Sequence, residues 1–151
     1  MRVIAVDYGD RRTGAAVSDS MRSLAGECFV IDEPDAGRLA NRLEKEYNAR
    51  GADTLVLGNP LNMNGTAGPR AEKTAKLKVM LERRGLRVVL WDERRTTVEA
   101  DRILTDTRNL GRKRKEKIDA VAASLLLEGF LLAEKNLTKA DQGGQDAETG
   151  P

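Results

Sequence analysis

Histidine is absent from all 151 residues of the chain. Its absence removes imidazole general bases, Ser-His-Asp triads and His-ligated zinc from the available chemistry. Cysteine occurs once, at Cys28, which excludes an internal disulfide and every cysteine-rich metal framework. Cys28 lies in the strand-like run Glu27-Cys28-Phe29-Val30-Ile31, so a buried core thiol is expected. No apolar run approaches the roughly 18 residues of a membrane span. The first residues begin a strand rather than a signal peptide, so a cytoplasmic location with no membrane partner is expected. Carboxylates, lysines, arginines, hydroxyls and metal remain for catalysis.

A chain of 151 residues suits one domain with a proper core. The formal net charge of +2 is unevenly spread. Residues 136–151 hold Lys139 against Asp141, Asp146 and Glu148, leaving 25 basic and 21 acidic side chains in residues 1–135. The segment 136–151 is polar, Gly-rich and without aromatics, which predicts a disordered tail behind a domain spanning 1–135.

Strands come first, then alternation. Arg2–Asp7 is nearly all apolar, as a central strand covered on both faces requires. Thr13–Ser18 and Glu27–Ile31 follow as strands. Ala36, Leu39, Ala40, Leu43 and Tyr47 fall at helical spacing, and Gly51 ends that helix. Thr54–Leu57 is a fourth strand, followed by a Gly/Asn/Pro loop and a charged helix over about 70–84. Arg87–Trp91 is a fifth strand, and Thr96-Thr97-Val98-Glu99 has a capping-box pattern for another helix. Residues 106–117 read as a loop, and Ile118, Val121, Ala122, Leu125, Leu126, Gly129, Leu132 and Ala133 mark a last helix face. This order predicts one α/β domain: a five-stranded mixed sheet with helices on both faces and Asp7 on its central strand.

Three acids sit at the ends of these elements. Asp7 closes the first strand, Glu93 follows the fifth, and Asp119 opens the last helical stripe. Strand ends of open α/β sheets are where sites are built. Three converging carboxylates form a hard, all-oxygen environment suited to Mg²⁺ or Mn²⁺. Each acid also has an ordinary reading: a turn residue for Asp7, a solvated charge for Glu93, a helix-dipole partner for Asp119.

Other residues suit phosphate. Asn62 and Asn64 stand in the loop Gly58-Asn59-Pro60-Leu61-Asn62-Met63-Asn64-Gly65-Thr66, where amides and backbone N–H groups can hold an anion. Arg94 follows Glu93, and Arg12 follows the first turn. Arg112, Lys113, Arg114 and Lys115 form a basic run just before Asp119, a docking surface for a polyanion if not merely a solvated charge run. Few aromatics accompany that run, so base stacking is not its main mode.

Four motifs taken together resemble the YqgF/RuvX family of Holliday-junction-resolvase-like or pre-16S ribosomal RNA nucleases with an RNase H fold. They are Asp7-Tyr8-Gly9 with Arg12-Thr13-Gly14; Gly58-Asn59-Pro60 with Asn64-Gly65-Thr66; Asp92-Glu93-Arg94-Arg95-Thr96-Thr97; and Ile118-Asp119-Ala120-Val121-Ala122-Ala123. The resemblance spans about residues 2–134. It implies an RNase H-like fold, Asp7, Glu93 and Asp119 as the acidic site, Mg²⁺ dependence, and a phosphodiesterase that matures the 5′ end of 16S rRNA. Pre-16S rRNA or branched DNA is then the partner, with ribosomal subunits and a second copy of the chain also admitted. Many RNase H-like nucleases carry an acid at the end of the fourth strand. Here Gly58-Asn59-Pro60 stands there, so the second carboxylate comes from Glu93, a placement expected to separate the acids and leave one weak metal site.

Three alternatives stand beside the rRNA nuclease. A non-catalytic RNA-binding assembly or transcription factor would use the same basic loops without turnover, but gains nothing from three acids beside a phosphate backbone. A junction resolvase in DNA recombination or repair is implied by fold similarity. An ATP-binding domain of the sugar-kinase and actin type shares the opening Asp-x-Gly hairpin, but pairs two domains where this chain has room for one.

Overall fold

The pleat of a strand sends successive side chains to opposite faces, and Val3-Ile4-Ala5-Val6 uses both. In the computed structural model, which describes residues 1–60, 64–93 and 120–137, all four are fully buried. Ile4 and Val6 join one apolar cluster and Val3 and Ala5 another, so this strand carries core on each side. It is β1 (Arg2–Asp7), followed by β2 (Arg12–Ser18), β3 (Ala25–Asp32), α1 (Ala36–Ala49), β4 (Ala52–Asn59), α2 (Pro69–Arg83) and β5 (Val88–Asp92). Residues 120–137 form a further helix, α3.

The strands make one sheet in the order β3-β2-β1-β4-β5, with β1 central. β1 is antiparallel to β2 and parallel to β4; β2 is antiparallel to β3, and β4 is parallel to β5. The parallel trio β1, β4 and β5 therefore ends on one edge, at Asp7, Asn59 and Asp92. The expected mixed sheet, its central strand and its helices on both faces are all present.

Each face is closed by a helix layer. Leu39, Ala40 and Leu43 of α1 and Leu77 and Leu81 of α2 pack over Ile4, Val6, Leu55 and Leu57. Burying each such leucine contributes roughly 1.5–3 kcal/mol. Asp35 caps α1 by accepting from the Arg38 N–H at 2.9 Å. On the other face, Ala123, Leu126, Leu127 and Leu131 of α3 cover Val3, Ala5, Ala16 and Val56. Trp91 meets Phe130 edge-on, with ring centroids 5.9 Å apart.

Cys28 corrects the sequence reading, because its side chain is exposed. β3 is an edge strand, and Cys28 pairs with Ala16 on the side of the sheet that α3 covers. Cover from α3 reaches the inner strands, leaving the outer strand's thiol in water. Apolar neighbours in sequence did not guarantee a lid above them.

Arg22, at φ 57° in the β2–β3 turn, fastens α3 to the sheet. Its Nη1 donates to Asp53 Oδ1 at 2.8 Å, and its Nη2 donates to Glu134 Oε2 at 2.8 Å. Asp53 lies at the start of β4, so the late turns of α3 sit at the edge opposite Asp7 and its earlier turns rise toward the carboxyl edge. The Arg22 side chain is only 23% exposed, and both its contacts are charge-assisted. Arg22→Ala leaves two carboxylates facing each other and should lower the unfolding free energy by about 1–3 kcal/mol. A urea midpoint within error of the parent would show that the clamp is energetically idle.

Candidate active site

Asp7, Gly58 and Glu93 share one face of the sheet at the carboxyl edge. Asp7 continues the alternation of Val3 and Ala5, and Gly58 that of Val56, all toward the α3 side. Glu93 follows β5 just past Trp91, which packs on that same side. β4 lies between β1 and β5, so Glu93 must cross it to reach Asp7.

Gly58 makes the crossing possible. A Cβ built on Gly58 would lie 2.5 Å from Glu93 Oε1 and 3.2 Å from its Cγ and Cδ. Such approach is below ordinary contact, so the space above β4 is filled by the Glu93 carboxyl itself. The expected separation of the acids is thus overturned: Glu93 and Asp7 share a hydrogen bond between their side chains. A fourth-strand acid would occupy the volume that Glu93 needs.

The pair is electrostatically tense. Burial, then the Asp7 charge, then the shared hydrogen bond push the Glu93 carboxyl from 4.5 up to about 8, against the opposing pull of Arg70. Near neutral pH Glu93 keeps a proton and donates it to Asp7. Two carboxylates held this closely without a cation cannot both ionise cheaply. A hard divalent ion relieves that repulsion, and Mg²⁺ takes one or two protein carboxylates while keeping waters and substrate oxygens. The two residues fit such an ion, although no group of three acids able to hold a metal occurs among the described residues.

Asp119, Arg94, Asn62, Arg112, Lys113, Arg114 and Lys115 lie outside the described residues. α3 is described from residue 120, directly after Asp119. Arg12 is half-buried and shares its strand face with Gly14, the residue paired with Asp7. It therefore stands on the acid-bearing side, beyond the end of β1. Asn64 is exposed, and its Oδ1 accepts from both the Thr66 N–H at 3.1 Å and the Thr66 hydroxyl at 2.7 Å. That carbonyl shapes the loop rather than facing a ligand. Between β1 and β2, Gly9 is obligatory, since a Cβ there would collide with the Arg12 carbonyl oxygen.

Sequence reasoning missed Arg70 and Lys73, which it placed in an undifferentiated charged helix. Both line a small cleft with Tyr8, Gly9 and Asp10, directly beyond Asp7. The overlooked signal was Gly68-Pro69-Arg70: Pro69 fixes the helix start, so Arg70 is a cation in the first turn. The helix dipole opposes a cation there by roughly 0.3–1 kcal/mol. A larger hollow of about 620 Å³ lies between Met21 and Leu24 of the β2–β3 turn and Leu131 and Leu132 of α3. Neither of the paired acids lines it, so chemistry rather than volume locates the site.

Residues 1–133 match the family model described as "RuvX: Holliday junction resolvase". The chain belongs to the RuvX family. Its curated relatives include a protein of Agathobacter rectalis named "Putative pre-16S rRNA nuclease", 40% identical over 135 residues, covering 87% of this chain and 94% of the relative. A protein of the same name from Bacillus licheniformis is 41% identical over 134 residues, covering 87% and 96%. Among solved structures, Thermus thermophilus RuvC in complex with a Holliday junction substrate superposes with a TM-score of 0.54. It covers 83% of this chain and 91% of RuvC at 12% identity, a likeness of fold alone. The expected family and the RNase H-like fold are borne out. No helix among the described residues is long and apolar enough to cross a membrane.

Proposed function

We propose that the chain is a divalent-metal-dependent nuclease that cleaves structured RNA, with the 5′ end of pre-16S rRNA as its substrate. The observation that carries this reading is the Asp7–Glu93 pair, brought together across Gly58 at the carboxyl edge of an RNase H-like sheet. Asp7 and Glu93, with Asp119, would hold Mg²⁺ or Mn²⁺. When bound, that ion polarises a phosphodiester and lowers the pKa of an attacking water. The chain supplies the rest. Asp7 and Glu93 hold negative charge at a fixed spot, and Gly58 keeps the path between them open. Arg12, on the same face, would meet a phosphate, with Asn62, Asn64 and Arg94 as further contacts. The cytoplasm and the assembling ribosomal subunit are the setting this substrate calls for, with residues 136–151 a tail behind the catalytic domain of 1–135.

A second reading, cleavage of four-way DNA junctions, is favoured by the description of the matching family and by the superposition on RuvC. One experiment separates the two. Purified protein is incubated with a pre-16S RNA and with a four-way DNA junction, each with Mg²⁺ and with EDTA. Mg²⁺-dependent cleavage of the RNA alone supports the proposal; cleavage of the junction alone transfers the activity to DNA. Cleavage of neither, by folded protein, overturns the assignment.

The basic run makes its own prediction. Arg112, Lys113, Arg114 and Lys115 stand four to seven residues before Asp119 and would hold phosphates flanking the scissile one. Replacing all four with serine should flatten the slope of log K against log salt by roughly one to three units. Melting temperature should hardly change, because such a charge run adds few buried contacts. A parental salt slope in the quadruple variant would make the run a solvated surface only.

A further inference from the structure

We infer that Arg70 and Lys73, facing Tyr8-Gly9-Asp10 across the cleft beyond Asp7, form a subsite for a nucleic-acid backbone phosphate next to the one that is cut. The inference rests on the nuclease reading above and adds to it residues that lie on a different element from any expected contact.

Position is the first support. The cleft begins at Tyr8, the residue after Asp7, whose ring packs on the α1–α2 side of the sheet, so a strand laid on the paired acids reaches it by crossing the carboxyl edge. Arg70 and Lys73 are three apart on α2 and therefore share the face turned to the β1–β2 turn. Their availability is the second support. Lys73 Nζ reaches Asp10 Oδ1 at 3.2 Å, but the two side chains are 62% and 77% exposed. An ion pair so open to solvent is weak and yields readily to a phosphate. Arg70 is exposed and makes no salt bridge among the described residues, yet its charge is felt at Glu93. It sits close enough to shape the site's potential without being consumed by it.

The start of α2 adds to the field. Gly68 offers no capping side chain, and Pro69 at the first helical position has no N–H to offer. Positive helix-end potential therefore adds to the two cations instead of being cancelled by an acidic cap. Glu72 is acidic in the same turn, but it is exposed and does not line the cleft. A guanidinium beside an ammonium, open to water at the edge of the sheet where β1 ends, matches a phosphodiester rather than a neutral base edge.

The test reads binding without turnover. Wild-type, Arg70→Gln/Lys73→Gln and Arg70→Lys proteins are titrated in EDTA against a fluorescein-labelled pre-16S leader RNA and a labelled four-way DNA junction, across a salt series. Two lost phosphate contacts should flatten the log K against log salt slope by about 1.4 units on single strands and about 1.8 on duplex. Affinity at 0.1 M salt should fall on the order of tenfold. Arg70→Lys should keep the slope but recover only part of the affinity, because an ammonium cannot bond a phosphate with two parallel N–H groups. Arg83→Gln, at the far end of the same helix, is the control and should leave the slope alone. A folded double variant with wild-type slope and affinity overturns the subsite, as does an equal loss in Arg83→Gln. The reading beneath it fails differently. If Asp7→Asn protein still cleaves, the acids are misassigned whatever the slope. If the wild type binds neither probe, both are overturned.

Discussion

Asp7→Asn should abolish metal-dependent cleavage, lowering the rate by more than about 100-fold, the scale on which even groups supporting a metal's ligands act. The substitution keeps shape and hydrogen-bonding capacity but removes the charge that draws an ion to the carboxyl edge. Folding should survive, since Asp7 ends β1 and is only half-buried. Its loss also removes the second-largest cause of the raised Glu93 pKa. In EDTA the sign follows directly. Folded protein holds the Glu93 proton up to about 8, whereas the unfolded chain releases it near 4.5. Stability from this group is therefore complete below about 4.5 and is lost as pH rises toward 8. Asp7→Asn should flatten that decline, visible as melting temperatures from pH 5 to pH 8 in EDTA. Metal must displace the same proton, so apparent Mg²⁺ affinity should rise with pH over this window. Undiminished cleavage by carefully purified Asp7→Asn protein would show that the site lies elsewhere.

Gly58→Ala should lower cleavage roughly 10- to 100-fold while leaving melting temperature nearly unchanged. Gly58 does not adopt the left-handed backbone region, so alanine fits its strand conformation. Restricting the unfolded chain even favours alanine by about 0.4–1 kcal/mol. The new methyl, however, would stand 2.5 Å from Glu93 Oε1. Relief comes from the carboxyl, the far end of a flexible side chain, which must swing away from Asp7. Once in water, Glu93 should titrate closer to its ordinary range, and the pH dependence of apo stability should shrink with it. Activity lost without stability lost is the signature of a position reserved for a neighbour's side chain. Full activity in the alanine variant, or a protein that fails to fold, would each contradict that account.

Much of the fold was legible in order and periodicity. The unbroken run Val3-Ile4-Ala5-Val6 announced a strand buried on both faces, because only a central strand has core on each side. Leu39, Ala40 and Leu43 announced a helix lying on a single layer. Asp7 and Glu93 were legible for a related reason: a charge directly after an apolar run stands where the strand leaves the core. These features are local, set by pleat, helical turn and the cost of burying charge, and a linear sequence carries them.

Whatever depended on a neighbour distant in sequence was decided only by tertiary structure. Cys28 looked buried until the sheet made β3 an edge strand beyond the reach of α3. Gly58 looked like the gap where an acid was missing; packing makes it the opening through which Glu93 crosses β4 to Asp7. Arg70 and Lys73 were two cations in a charged helix until the fold set them against the turn after Asp7. By itself the sequence determined the elements, their order and the acids at two strand ends, because each follows from a residue's immediate surroundings. The distance between those acids, the proton they share and the cations beside them come from three strands and a helix brought side by side. Excluded volume and desolvation act between those elements, and no sequence spacing encodes them.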